Sequence, residues 1–429
     1  MKPAGRLQAA IEILSEIVER HRPASQALAD WGKAHRFAGS GDRAAIGNLV
    51  YDALRHRSSL GWRMGDDTPR NLALGVAVYT WGETALGLAK SFEGDRHAPD
   101  ALSDAEISRL ENSELSDAPE WVQAEIPEWL EEALRENFDE DFVAEGQALA
   151  QRPPVDFRVN TLKSSRDKVV KALKRFDLAP TELAPNGLRL AASTGSGRVP
   201  NIQPEAPYQK GWIEVQDEGS QVCSSLVFAQ PGEQVLDYCA GAGGKTLALA
   251  AAMENKGQVF AYDSDRSRLA PIYDRLKKAG TRNVQVRAPN DDLDDLTGKM
   301  DRVIVDAPCS GSGVWRRKPD TKWRLTPEAL ERRLDEQRHV LGEASRFVRP
   351  GGYLCYITCS VLAQENEAQV YAFVEESEEF ELLSAGEVWE DLFSHSELKP
   401  WSSDDCTVTL TPASTGTDGF FFAVLERAA

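Results

Sequence analysis

Two short motifs each contain a cysteine that could do chemistry: Asp306-Ala-Pro-Cys309-Ser-Gly311 and Thr358-Cys359-Ser360. Each follows a run of apolar, largely β-branched residues, Arg302-Val-Ile-Val-Asp306 and Tyr353-Leu-Cys-Tyr-Ile357, that reads as a strand. Neighbouring strands of a parallel sheet would deliver both thiols to the carboxyl edge, where open α/β sheets bind their ligands. A thiolate is a strong nucleophile and also leaves readily. Carbon 5 of cytosine is a poor nucleophile, so a methyl transfer there needs covalent activation. A thiolate added to carbon 6 makes carbon 5 enamine-like and able to attack a sulfonium methyl. A second thiol can help to remove the carbon-5 proton and release the enzyme. Asp306 can hydrogen-bond to or protonate ring nitrogen 3, which makes carbon 6 more electrophilic.

Such chemistry needs a methyl donor nearby. After the strand Gln234-Val-Leu-Asp-Tyr238 comes a loop in which Cys239, Ala240, Gly241, Ala242, Gly243, Gly244 and Lys245 are the candidate contacts to S-adenosylmethionine. The glycines let the backbone turn tightly and approach a ligand, and a helix starting near Lys245 would aim free N–H groups at it. An ATP-binding P-loop is the competitor. It needs a glycine where Cys239 stands, so the phosphate cradle is incomplete. The second strand of the series, Gln258-Val-Phe-Ala-Tyr262, leads into Asp263, whose carboxylate can accept from both ribose hydroxyls of a nucleoside. Asn290 and Asp291 follow the third strand, and either could meet the adenine amino group. Taken singly, a glycine-rich turn is common and an Asp closing a strand is often a helix cap.

The elements that must position these residues are legible from periodicity. Strands alternating with helical stretches after about residue 205 predict a doubly wound, Rossmann-like α/β sheet with helices on both faces. Thr407–Leu410 and Phe420–Leu425 are expected to close it as an antiparallel edge. Residues 1–148 read as an all-helical domain, beginning with Leu7, Ala10, Ile11, Leu14, Ile17 and Val18 on one helical face. The Pro153-Pro154 pair marks a boundary, and residues 149–204 read as a small α/β module. Residues 205–429 form the third expected domain.

At 429 residues the chain is too long for one ordinary core. Its 41% hydrophobic and 27% charged residues are typical of globular proteins. The N-terminal residues lack the apolar core of a secretory signal and no apolar run approaches bilayer length, so a cytoplasmic protein with no membrane partner is expected, monomeric by default. The six cysteines form neither a disulfide framework nor, with the six histidines, a zinc-ligand pattern; no metal is expected. A net charge of −19 argues against a nucleic-acid partner, but the charge is segregated. Residues 93–145 are acidic, whereas 152–175 and 315–349 are rich in Lys and Arg; each basic stretch reads either as a solvated helix face or as a docking site for a polyanion. Arg316, Arg317 and Lys322, beside Trp315 and Trp323, could hold phosphates and stack bases at the mouth of the site, with Trp323 equally suited to a core.

In residues 150–429 the chain resembles the Sun/Fmu-type (RsmB-like) RNA cytosine-5 methyltransferases. The resemblance rests on Arg158-Val-Asn160-Thr, Val215-Gln216-Asp217-Glu-Gly-Ser220-Gln221, Asp237 to Thr246, Asp306 to Gly311, Arg316-Arg317-Lys-Pro319-Asp320, Thr358-Cys359-Ser360, Glu365-Asn366-Glu367 and Thr417-Asp418-Gly419-Phe420-Phe421. It implies that Cys359 is the nucleophile, that Cys309 assists product release, and that residues 239–245, Asp263 and Asp306 contact S-adenosylmethionine. It also implies an RNA partner, with ribosomal RNA of the small subunit as the expected target. Arg158, Asn160, Arg316, Arg317 and Lys322 are the candidate RNA contacts. Around Asp42-Arg43 to Arg55 the front of the chain resembles the helical RNA-binding domain of the antitermination factor NusB. The chain departs from the pattern at Ala242, where many members carry Pro, and after the third strand, where the usual acidic position is blurred between Asn290 and Asp291. Two other functions compete: a non-catalytic RNA-binding assembly factor, and DNA cytosine methylation with the Pro-Cys cysteine as nucleophile.

Overall fold

Leu7, Ala10, Leu14 and Ile17 recur every three or four residues and become the buried stripe of the helix Pro3–Val18, with Ile13 also inside and Ile11 and Val18 at its margin. The computed structural model describes residues 1–402 and 404–429 and divides them into two compact units. The first comprises Met1–Pro153 with two excursions from later in the chain, Ala192–Val199 and Val314–Leu325. It is helical, with Ser40–Arg55 and Pro69–Gly75 packed on the first helix around a core of Leu, Ile, Val and Ala. Asp52 is its polar anchor, accepting from Arg55 Nη1 at 2.9 Å, Trp81 Nε1 at 2.8 Å and Arg152 Nε at 2.8 Å. The guanidinium of Arg152 also donates to the carbonyls of Ser193 (2.9 Å) and Gly195 (2.7 Å), which stitches in the first excursion. The second is held by Trp323 Nε1 on the Leu54 carbonyl (2.6 Å) and by Arg55 Nε on the Arg316 carbonyl (2.9 Å).

The second unit holds two sheets. The smaller has four antiparallel strands, β1 (Val155–Val159), β2 (Ala179–Pro180), β3 (Gly187–Leu190) and β4 (Ile213–Val215), in the order β2-β3-β1-β4. Its fourth strand lies beyond residue 204, past the boundary expected from the sequence, because β4 pairs with β1. The larger contains β5 (Gln234–Asp237), β6 (Gln258–Ala261), β7 (Val284–Val286), β8 (Met300–Asp306), β9 (Val348–Thr358), β10 (Phe380–Leu382), β11 (Thr407–Leu410) and β12 (Phe420–Arg427). The order is β10-β12-β9-β8-β5-β6-β7, with β11 added on β12. Five neighbouring strands, β9-β8-β5-β6-β7, are parallel. Strand β12 is antiparallel but not an edge: it lies between β9 and β10, its Phe-rich face buried on both sides.

Alternation along the strands supplies both faces of the core. Ile304, Cys355 and Ile357 join the cluster under the helices Glu218–Leu226, Gly244–Ala252 and Ala385–Phe393, while Val303, Val305, Leu354 and Tyr356 join that under Pro327–Ser345 and Glu367–Glu376. The chain runs outward from β5 through β6 and β7, then returns to lay β8 on the other side of β5. That reversal makes the carboxyl ends of β5 and β8 a topological switch point, the place where a ligand crevice opens in such sheets. Among the described residues no helix is long and apolar enough to cross a membrane.

Candidate active site

The parallel register sets Asp306 of β8 opposite Ile357 of β9, so the residues just past these strand ends emerge side by side. The result is a Cys309 Sγ to Cys359 Sγ distance of 3.4 Å, two unbonded thiols in hydrogen-bond contact. The contact makes them unequal. The hydrogen bond from Cys309 lowers the pKa of Cys359 despite burial, with Lys245 helping and Asp306 opposing. The same bond, together with burial, holds Cys309 well above the usual thiol range. Cys359 therefore gives up its proton more readily than Cys309.

The two loops are fastened together by Glu365, which is wholly buried. One carboxylate oxygen accepts from Ser310 N (2.7 Å) and Gln337 Nε2 (2.9 Å), the other from the hydroxyls of Ser310 and Ser360 (2.5 Å each). Gln337 Nε2 also donates to the Pro308 carbonyl at 2.9 Å. Asn366, the next residue, accepts from Thr358 Oγ1 at 2.6 Å and donates to the Ser360 carbonyl at 3.0 Å. The sequence contained this clamp as Glu365-Asn366-Glu367, six residues past Cys359, but nothing in the spacing says that its carboxylate reaches back to the other cysteine loop.

Lys245 was expected among the cofactor contacts. Its side chain is buried and its ammonium lies 2.6 Å from Asp306 Oδ2. Burial works against that charge, but Asp306 outweighs it and the pKa is raised. The cation is thus fixed on Asp306, from where its charge acts on the Cys359 thiol.

On the other side of β5 the glycine loop forms the expected turn. Gly243 has φ +81°, and a Cβ there would lie 2.5 Å from Ile272 Cγ1, so only glycine fits. At Gly244, by contrast, a Cβ would meet nothing within 4 Å: the first turn of the helix Gly244–Ala252 opens on free space, and no side chain caps its N-terminus. Asp263, 2% exposed, accepts from Gly241 N at 2.9 Å, which ties the glycine loop to the end of β6. Asp237, under the loop, accepts from Thr246 Oγ1 at 2.6 Å while its other oxygen has no hydrogen-bond partner; burial pushes its carboxyl up to about 7. Asn290 is exposed and lines a hollow with Ser264, Tyr273 and Pro289, whereas Asp291 accepts from Ala288 N at 2.8 Å and pairs with Arg287 at 3.5 Å. Within the loop, Cys239 is half-buried with its thiol pushed up by burial, Ala240 is buried, and the Ala242 carbonyl accepts from Arg275 at 2.7 Å. An open helix turn, a tight glycine loop and a carboxylate at the end of β6 fit an adenosyl group.

The candidate RNA contacts are placed differently from expectation. Arg158 is 7% exposed, donates to Gln216 Oε1 at 2.7 Å, and is pushed down to about 10 by burial. Asn160, 2% exposed, donates to the carbonyls of Gly211 (2.9 Å) and Ala279 (2.8 Å). Lys322, 2% exposed, donates to the carbonyls of Arg55 (3.2 Å) and Glu125, and burial pushes it down to about 8. Arg316 and Trp315 are buried as well, and Arg317 is half-buried. Arg158, Asn160, Arg316 and Lys322 are therefore interior residues of the fold. A phosphate contact needs an exposed cation, which these positions do not offer.

A doubly wound sheet with an adenosyl-type loop at its switch point defines an S-adenosylmethionine-dependent methyltransferase. Residues 225–426 match the family profile of the 16S rRNA methyltransferases RsmB/F, and residues 126–195 match that of the ferredoxin-like domain of RsmF/B-like methyltransferases. The chain belongs to the RsmB/F, or Sun/Fmu, family, whose members use S-adenosylmethionine. It is 28% identical to ribosomal RNA small subunit methyltransferase B of Citrobacter koseri over 100% of both chains. Against the protein of that name from an Enterobacter species it is 32% identical, covering 72% of this chain and 66% of the relative. The crystal structure of a methyltransferase homolog protein from Pyrococcus horikoshii superposes with a TM-score of 0.60 at 25% identity, covering 72% of this chain and 97% of that one.

Proposed function

We propose that this chain methylates carbon 5 of a cytidine in RNA, small-subunit ribosomal RNA by analogy with the names of its relatives, through a covalent bond to Cys359. The observation that carries the reading is the 3.4 Å thiol pair with its opposed proton affinities. Cys359, lowered, adds to carbon 6 of the base. The π-electrons of the 5,6 double bond move to carbon 5, which becomes the nucleophile. Asp306, with Lys245 fixed against it, faces the ring edge at nitrogen 3 and offsets the charge that gathers there. Bound S-adenosylmethionine supplies the electrophilic methyl; the glycine loop, Asp263 and Asn290 hold and orient it. As the adduct forms, Cys309 releases its thiol proton to solvent, and once carbon 5 carries the methyl group the Cys309 thiolate takes up the carbon-5 proton. The electron pair restores the double bond, and Cys359 leaves as a thiolate. The base must be unpaired or flipped, since stacking in a duplex hides carbon 6. On this reading the helical unit is an RNA-binding domain and the enzyme works as a cytoplasmic monomer.

The test is a gel assay for protein–RNA adducts with unmodified small-subunit ribosomal RNA and S-adenosylmethionine. Cys309→Ala is expected to accumulate a covalent complex, and Cys359→Ser to form none and transfer no methyl. The reverse pattern would make Cys309 the nucleophile. A wild type that binds ribosomal RNA and transfers nothing would favour an assembly factor.

A further inference from the structure

Burial of Arg158, Asn160, Arg316 and Lys322 removes them as phosphate contacts, yet an RNA enzyme with a net charge of −19 still needs a local cationic surface. The second unit contains one. A cleft of about 650 Å³ is lined by Lys163, Lys210, Trp212, Lys277 and Lys278, with Asp274 as the carboxylate in its wall. Its two walls are the turn preceding β4 and the helix Ile272–Ala279, and the fold goes to some length to join them. Asn160 donates to Gly211 and Ala279 across the gap, and Lys163 Nζ donates to the carbonyls of Lys210 (3.2 Å) and Lys278 (2.6 Å). Gly211, at φ +69°, approaches so closely that a Cβ would lie 2.1 Å from the Lys278 carbonyl. Lys278 is occupied too, 3.1 Å from Glu214 and 3.7 Å from the centroid of the Tyr208 ring.

Three other lysines are not spent on the scaffold. Lys168, Lys210 and Lys277 are exposed, and among the described residues none has a carboxylate within ion-pair distance. Lys168 and Lys210 place their ammonium groups 4.3 and 5.6 Å from the centroid of one half-buried indole, Trp212. Most arginines of this acidic chain are paired with carboxylates, for example Arg152, Arg189, Arg275, Arg287 and Arg302. Lys168 and Lys210 at the Trp212 ring and Lys277 in the same cleft make a local positive field on an acidic chain, next to a ring face that a base can stack on.

We propose that this cleft seats the sugar–phosphate backbone of an RNA strand outside the target nucleotide, with Lys210 and Lys277 in the cleft and Lys168 at the Trp212 ring neutralising phosphates, and Trp212 offering a stacking face for one base. Flexible ammonium stems suit sequence-independent charge neutralisation, whereas a built site for one small anion would converge buried donors on a point. The choice of RNA over another polyanion rests on the methyltransferase reading above.

The test compares the full chain with Lys210→Gln/Lys277→Gln, both exposed positions, in binding and methylating naked small-subunit ribosomal RNA. Two lost phosphate contacts reduce the log–log salt slope by about 1.4 for a single strand, so between 50 and 200 mM salt the affinity of wild type should fall about sevenfold more than that of the variant. The defect should appear in KM for RNA and not in kcat, with S-adenosylmethionine affinity and the thermal transition as controls for folding. Trp212→Leu should weaken binding without changing the salt slope. Equal affinities and slopes for wild type and the lysine variant would overturn the proposal, as would a defect seen only on assembled ribosomal particles, which would point to an acidic protein partner. A wild type that methylates no RNA would instead remove the reading on which it rests.

Discussion

Glu365 offers the sharpest test of how the thiol pair is held. Replacing it by Gln keeps size and shape but removes the charge and exchanges one acceptor oxygen for a donor. Four donors converge on the carboxylate, two on each oxygen, at 2.5 to 2.9 Å. Hydrogen bonds to a charged group contribute about 1.5–3 kcal/mol each and neutral ones about 0.5–1.5. The two serine hydroxyls can rotate and accept from the new amide, so the bonds are weakened and not all lost. Roughly 1 kcal/mol per bond then gives a loss of about 4 kcal/mol, a large share of ordinary domain stability and still compatible with folding. The charge also acts on the cysteines, since Glu365 raises the pKa of both Cys309 and Cys359. Glu365→Gln should therefore shift the pH profile of Cys309 alkylation downward, because the thiol contact and the carboxylate both raise its pKa, while methyl transfer slows through a thiol pair no longer held at 3.4 Å. Urea unfolding and iodoacetamide kinetics against pH measure the two effects. A variant with wild-type stability and an unshifted alkylation profile would refute the clamp.

Other consequences follow from the same geometry. Lys245→Met removes a cation that lowers the Cys359 pKa, so alkylation of Cys359 should move to higher pH and methyl transfer should slow by about 100-fold; an unmoved profile would disconnect Lys245 from the nucleophile. Asp237 has its pKa raised from 3.8 to about 7, so the stability it contributes is present below about pH 4 and lost as pH climbs to 7, a swing on the order of 4 kcal/mol. Asp237→Asn should abolish that swing, read as a stability difference from wild type that grows across this window; a constant difference would contradict the burial argument. In the helical unit, Asp52→Ala leaves the buried Arg55 and the half-buried Arg152 without their carboxylate and should cost about 3–5 kcal/mol in urea unfolding, and a loss below about 1 would show the pair to be solvated.

Much of the site could be read from local sequence because its signals are local. A glycine-rich turn after an apolar strand, an Asp at the next strand end and two strand-terminal cysteines each declare themselves within ten residues, and the sheet rule then gathers them at one edge. The family resemblance added the expectation that Cys359 is the nucleophile. What the sequence misled on was charge. Arg158, Asn160 and Lys322 sit in polar, basic stretches and look like surface, but their partners are backbone carbonyls and a glutamine distant in sequence, 51 and 119 residues away for Asn160.

By itself, the sequence determined the alternation of strands and helices, the tight glycine turn after the first strand of the larger sheet, and the presence of two thiols at strand ends. Hydrophobic periodicity and steric demands at glycine act over a few residues and need no knowledge of the rest of the chain. Tertiary structure alone decided that β12 enters the sheet between β9 and β10, that Glu365 bridges the two cysteine loops, that the segment after the Pro-Cys motif packs into the helical unit, and that the unpaired lysines gather around Trp212. Each of these depends on which distant groups meet. A buried polar group must find its partner wherever the fold supplies one, and a charge left unpaired at the surface is known only after every possible partner has been placed.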